Sequence, residues 1–390
     1  MIASAEVRFL KRRAKNYGYH LDKEVPLPAP AIVIENVFNT SFQKHALLSY
    51  IVYPFLGQIQ NDHSNHRECY TIAEILSELG YNVDVINWDH NSFVPVHQYE
   101  IVIDTHNNLA RLSGYFSGNV KKILHAANAH WLFQNWTEYG RYHQFFLKTG
   151  VAITPPRLIP PGNSSQYCDV ISMFGNEFTK STYGKYGSKV YHLPMSVSTT
   201  PEIITERDYA LAKNNFLWIN SHGVLLKGLD IVIDAFKMLP QLNLYICGDM
   251  EKDSEFMNCI QPELSLAPNI NFTGWVDTGS TAFRTLTAAC AWVVGTSFSE
   301  GGGGSTLNCM AKGLIPVVSR TSSLTLPGDT GFYLEQNDAT ALAALLSRLV
   351  LLPDAELKER SFNAYHFVAS GHTIENFKEN YKAFLIKMLA

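Results

Sequence analysis

Charge is in short supply in this sequence. Only 17% of its 390 residues are Asp, Glu, Lys or Arg, and 31 basic against 35 acidic side chains leave a formal net charge of −4. Such a balance offers no basic face for a phosphate backbone, so nucleic acid is not an expected partner. Cysteine is sparse as well. The six residues (Cys69, Cys168, Cys247, Cys259, Cys290 and Cys309) are scattered without a C-x-x-C pair, which argues against a disulfide framework or a cysteine-based zinc site. Most sit in apolar surroundings and read as small core residues in a reducing compartment. No apolar run approaches the roughly 20 residues that span a bilayer, and the N-terminus lacks an apolar signal core. Low-complexity tracts and short-period repeats are missing too.

What remains is 46% hydrophobic residues, enough for large cores, in a chain long enough that two domains are the default. Short β-rich runs at residues 47–55, 83–86, 101–104, 122–125, 170–174 and 189–193 alternate with helical or loop segments. One such helix carries Cys69, Ile72, Ala73, Leu76 and Leu79 on a single face and stops at Gly80. A polar stretch over 196–207, containing Pro201, reads as a linker. The αβ alternation then resumes with strands at 216–220, 242–247, 269–272, 291–296 and 314–318 and helices at 229–239, 339–351, 354–369 and 374–389. The fold class is therefore α/β, with two doubly wound parallel sheets. The expected domains are 1–200, including a basic extension over 1–30, and 201–371. A final helix in 372–390 is long enough to cross back to the first domain.

The segment TSFSEGGGGSTLNCMAKGLIPVVS, residues 296–319, is the most informative. A β-branched, apolar run leads to Glu300. Gly301, Gly302, Gly303 and Gly304 follow, and Ser305 and Thr306 open a short helix that stops at Gly313. Backbone N–H groups in such a loop can approach a ligand closely, and the helix start favours an anion. A carboxylate just before that site suits a ligand with both phosphate and hydroxyls, such as a sugar nucleotide. Tight packing of a helix on a sheet is the bland explanation, yet four glycines in a row cost entropy with no packing return. A second loop, in WINSHGVLLKGLDIVIDAF (residues 218–236), places His222, Gly223 and Lys227 between a strand and a helix. Lys227 is either a solvated surface lysine or, with the helix N-terminus beside it, a phosphate ligand. Ligands of open α/β sheets bind at the carboxyl ends of the strands, where the loops after Asn220 and Cys247 and the Glu300 loop all lie.

With these segments in order, the second half resembles the retaining GT-B nucleotide-sugar glycosyltransferases (the family 4-like, group 1 enzymes), which use UDP- or GDP-sugars. The likeness runs from the KG–D–helix segment ending in DAF, through the strand closing in Cys247, Gly248 and Asp249 and NINFTGWV at 269–276, to the glycine loop ending in AKGLIPVVS. It implies two Rossmann-like domains facing a cleft, with the acceptor on the first and the donor on the second. By the same resemblance Lys227 binds the donor diphosphate and Glu300 contacts donor-sugar hydroxyls. Gly248, Trp275 and Val276 border the nucleotide, and the loop N–H groups hold phosphate. Two positions depart from the pattern. His222 stands where an arginine is usual, which makes a phosphate clamp depend on protonation near the ordinary histidine pKa. Asn308 replaces the second glutamate, a ribose ligand, and lacks its charge.

The first half matches the family weakly. Its candidates are His63, Asn65 and His130 for acceptor binding and His125, at a strand's end, as a proton relay; ordinary hydrogen-bonded histidines are the alternative for each. The aromatics Trp131, Phe133, Trp136 and Tyr139 suit stacking on sugar faces, but amphipathic core packing is the favoured reading. The expected activity is metal-independent, cofactor-free transfer of a hexose-type sugar to a glycan or lipid-linked acceptor with retention, in surface polysaccharide or glycoconjugate synthesis. A non-catalytic sugar-nucleotide sensor and a GT-B epimerase are the competing readings. Arg8, Lys11, Arg12, Arg13 and Lys15 suit a weak hold on an anionic membrane surface or a solvated basic end. The expected location is cytoplasmic, free or peripheral on the inner membrane face.

Overall fold

The computed structural model describes residues 32–57 and 64–390; the basic N-terminal segment and His63 lie outside them. The first sheet has seven strands in the order β1-β3-β2-β4-β5-β6-β7. These are β1 (Val33–Ile34), β2 (Lys44–Tyr50), β3 (Tyr81–Asn87), β4 (Ile101–Asp104), β5 (Lys121–Ala126), β6 (Val170–Met173) and β7 (Val190–His192). Only β1 runs antiparallel. The second sheet is wholly parallel, ordered β10-β9-β8-β11-β12-β13. Its strands are β8 (Asn215–Ile219), β9 (Asn243–Cys247), β10 (Ile270–Gly274), β11 (Trp292–Gly295), β12 (Ile315–Ser319) and β13 (Phe332–Leu334). Strands such as β4 and β11 are buried along their whole length because helices cover both faces, which is why they read as continuous apolar runs.

Strand order decides where a site forms. In the second sheet the chain moves outward one way from β8 to β9 and the other way from β11 to β12, so β8 and β11 flank a switch point. Their following loops open a crevice at the carboxyl edge, and these are the loops that carry Lys227 and Glu300. The first sheet has its own switch between β2 and β4.

Two helices cross between the domains. The helices used below are α1 (Ser64–Glu78), α2 (Trp131–Thr149), α3 (Leu229–Lys237), α4 (Gly304–Met310) and α5 (Ile374–Leu389). Phe377, Tyr381, Phe384 and Leu385 share one face of α5 and are fully buried with Cys69, Ile72 and Leu76 of α1 in the first sheet's core. Lys378 and Lys382 close the rim of that contact on Glu74 and Glu78 at 2.6–2.8 Å. The helix α2 does the reverse: it connects β5 to β6, yet Tyr142 and Phe145 are buried in the second sheet's core. Beside them Arg141 donates from Nη2 to both carboxylate oxygens of Asp230 of α3 (2.7 and 2.6 Å), donates from Nε to the Leu225 carbonyl and lies over the Phe298 ring.

Most expected elements are present, with shifted ends. The first long strand was expected over 47–55 but stops at Tyr50, because Pro54 lacks an N–H and the chain turns into a short 3-10 helix at Tyr53–Phe55. The long helix α2 leaves a weak periodic mark in the sequence, because exposed Leu132, Trp136 and Tyr139 blur its apolar face. Of the six free cysteines, all but Cys259 are buried. Among the described residues no helix is long and apolar enough to cross a membrane.

Truncating Phe384 to alanine removes a ring from the α5 contact. The expected cost is about 3–5 kcal/mol, measured by urea unfolding, with the first domain losing amide protection before the second.

Candidate functional site

A cavity of about 520 Å³ lies between the carboxyl edges of the two sheets and takes its walls from both domains. On the second-domain side the β8 and β11 loops are tied together. The Thr296 hydroxyl donates to the carbonyls of Lys227 and Gly228 (3.2 and 3.1 Å), and the Phe298 N–H donates to the Leu226 carbonyl at 2.9 Å. This knot brings the Lys227 ammonium onto the Glu300 carboxylate, and both side chains are largely buried. Burial pushes the Lys227 pKa down to about 8, against the attraction of Glu300 and with the help of the positive Arg157 nearby. Burial alone would raise Glu300, but the charges and hydrogen bond of Lys227, then Arg157, hold it below the usual carboxylate range. One guanidinium thus lowers both partners.

Several expected donor residues line the cavity beside this pair: His222, Gly301, Gly303, Gly304, Ser305, Thr306 and Asn308. Asn308, on α4, is already committed. Its Oδ1 accepts from the Ser198 N–H at 2.9 Å and its Nδ2 donates to the Gly304 carbonyl at 3.1 Å, so it fastens the interdomain linker to the glycine loop. His222 also differs from expectation. Burial, then the positive charges of Arg157, Lys252 and Lys227, hold its pKa below the ordinary histidine value, which disfavours its charged form.

Others lie apart. Gly302 lines a second, smaller cavity of about 220 Å³ with His192 and His372. Gly248, Trp275 and Val276 do not line the cleft, and Trp275 is 59% exposed beyond edge strand β10. Gly223 is turned to Asp253, whose carboxylate accepts its N–H.

On the first-domain side Asn65 and His130 line the cavity as expected. His130 is the N-cap of α2, its Nδ1 accepting from the Leu132 N–H. His125 is the clear correction. Side chains on a strand alternate, and at β5 it is Leu124 and Ala126 that line the cleft. His125 points to the opposite face and is fully buried. It bonds Ser172 at 3.0 Å and packs against Phe174, Tyr381 and Tyr50, and burial lowers its pKa to about 3. A neutral ring walled off from the cavity does not relay a proton there.

The cleft contains polar residues that sequence reasoning missed. Glu68, on the same helix as Asn65, lines the cavity while buried to 1% exposure; burial raises its pKa to about 7 against hydrogen bonds from Ser196 and Ser64. Gln134 accepts from the Ser299 hydroxyl at 2.6 Å across the cleft. Arg157 reaches the Lys227 corner from a loop whose only cue is its setting, a lone cation between proline pairs in PPRLIPP. Among the described residues, one cluster has metal-ligand side chains, His45, Asp84 and His97, with ligand atoms within 4.8 Å of one another. It lies by the amino end of β2, away from the cleft, and Asp84 already accepts from Tyr99 and the Asn36 N–H.

Residues 213–351, less than half of the chain, match the family described as glycosyl transferases group 1. Among solved structures, sucrose-phosphate synthase from Thermosynechococcus elongatus is similar with a TM-score of 0.62 at 14% identity, covering 89% of this chain and 99% of its own. A glycosyltransferase from Rickettsia africae has a TM-score of 0.59 at 14% identity over 89% of this chain and 99% of its own. Anabaena HepE, in complex with UDP and glucose, has a TM-score of 0.58 at 14% identity over 88% and 99%. The fold is GT-B. No curated protein sequence gives a significant match.

In this GT-B cleft the backbones of the two domains touch at Gly301. A Cβ there would lie 1.7 Å from the Ala127 carbonyl oxygen. Gly301→Ala should therefore force the cleft open, read as a larger radius of gyration by solution scattering and a lower Tm. Unchanged scattering and melting would show that this contact is not made in solution.

Proposed function

We propose that this protein is a glycosyltransferase that moves a sugar from a nucleoside diphosphate sugar to a glycan or lipid-linked acceptor. One observation carries the reading: the Lys227–Glu300 pair, set at a sheet switch point beside the glycine loop, faces first-domain polar groups across a shared cavity. The pair lies inside the segment that matches group 1 glycosyl transferases. In this reading the Lys227 ammonium neutralises the diphosphate as the sugar–phosphate bond breaks, aided by N–H groups of residues 303–306. Glu300 receives donor-sugar hydroxyls, and the first domain holds the acceptor near Asn65, Glu68 and His130. This chemistry requires no cofactor and, with protein cations on the leaving group, no metal. Retention of configuration and a place in polysaccharide or glycoconjugate synthesis complete the proposal, on the strength of the resemblance. Because Anabaena HepE has been solved with UDP-glucose, that donor is the first to try.

Thermal-shift screening against UDP-, GDP-, ADP- and CMP-sugars should single out the donor by a rise in Tm. Lys227→Ala and Glu300→Ala should each slow transfer about 10²–10³-fold while the protein stays folded. Wild-type rates in both variants would refute the site. The anomeric configuration of the product, read by NMR, decides retention.

Binding should also depend on pH. Below about 8 the free-state Lys227 is charged, and a bound diphosphate raises its pKa further. As pH rises through that value, binding has to take up a proton and donor affinity falls. Lys227→Arg should flatten this alkaline limb in calorimetric titrations; an identical pH profile would assign the limb to another group.

A further inference from the structure

The transferase reading leaves one cation of the cleft without a task. Arg157 belongs by sequence to the first domain, between β5 and β6, yet its Nη1 donates to the Ser221 hydroxyl and the His222 carbonyl of the second, both at 3.1 Å. The stem lies on Gly223, where a Cβ would come within 2.2 Å of the Arg157 Cδ; any larger residue would displace the arm. The mount beneath it is stiff. Gln134, Asn135 and Glu138 share a face of α2 and read the loop backbone. Glu138 accepts the Arg157 N–H at 2.8 Å, and Asn135 both donates to and accepts from Ile159 at 2.8 Å. Gln134 completes the clamp on the Arg157 carbonyl.

Nothing built this firmly needs to carry a charge merely to brace a loop. Among the described residues no carboxylate lies within ion-pair distance of the guanidinium, although it lines the cavity. Of the three carboxylates that feel its charge, Glu300 is bonded to Lys227 and Asp253 to the N–H groups of Gly223 and Val224, while Glu138 accepts the Arg157 N–H through Oε1 and leaves Oε2 without a hydrogen-bond partner. A half-buried cation with spare N–H donors and no counter-ion favours an incoming anion, and a guanidinium suits phosphate oxygens. Burial and the neighbouring cations disfavour the charged form of His222 beside it.

We propose that Arg157 is the second cation of the donor site, gripping the diphosphate opposite Lys227, so that the leaving group is held from both domains at once. This rests on the nucleoside diphosphate reading above. It makes donor recognition dependent on a closed cleft, since the first domain brings the arginine that the second domain lacks.

Isothermal titration of the full chain with UDP, GDP and the matching monophosphates tests this. Arg157→Met keeps most of the stem; a ligand-free Tm close to wild type would show that the fold is intact. The expected result is that Arg157→Met weakens the preferred diphosphate about tenfold or more, and the monophosphate far less. Recovery of diphosphate affinity in the double variant Arg157→Met/His222→Arg would support charge as the cause. Unchanged diphosphate affinity overturns the proposal while leaving the transferase reading intact, and so does equal weakening of diphosphate and monophosphate, which would mark Arg157 as a domain latch. Wild-type protein that binds neither UDP nor GDP would instead bring down the nucleoside diphosphate reading, and this proposal with it.

Discussion

The burial of α2 across the domain boundary is the constraint on which the cleft depends. A helix that connects two strands of the first sheet places Tyr142 and Phe145 in the core of the second, where removing them from water is worth several kcal/mol in total. Arg141 adds direction to that adhesion, because its three nitrogens are committed separately: Nη2 to the Asp230 carboxylate, Nε to the Leu225 carbonyl and Nη1 to Gln144. One end of the same helix meets the glycine loop through Gln134 and Ser299, and its inner face holds the Arg157 loop. The packing of this one helix therefore helps to set both the position of one domain against the other and the shape of the cavity.

Within that frame, charge is arranged with little margin. The second-domain wall places one ammonium and one carboxylate in contact where water is mostly excluded, and a guanidinium close by shifts both. Such a pair is poor evidence for stability, since desolvating two ions consumes much of what their attraction returns. It is better understood as a polar site held ready for a ligand, with the fold's stability supplied by the two sheet cores. The terminal helix α5 strengthens this division: it fastens the second half of the chain onto the first sheet, far from the charged corner.

The two departures from the glycosyltransferase pattern look different once their surroundings are known. Asn308 is a structural tie between the linker and the glycine loop. Burial and neighbouring cations lower the His222 pKa, and the guanidinium at that corner comes from another part of the chain. That guanidinium belongs to Arg157, more than sixty positions away in the chain.

The doubly wound α/β class, the parallel order within each half, and the two strand-to-helix loops that carry Lys227 and Glu300 were all legible in the sequence. Buried parallel strands leave continuous apolar runs, and close backbone approach leaves glycines, so both leave local marks. Only the tertiary structure decided which side of β5 faces the cleft, and hence that His125 is core while Leu124 and Ala126 are wall; a one-residue change in phase reverses the answer. It alone decided that Glu68 lines the cavity and that Arg157 meets the loop of Ser221 and His222. Their positions depend on helices packing across the boundary between two domains, and contacts between segments so distant in sequence leave no period, cap or spacing in either one.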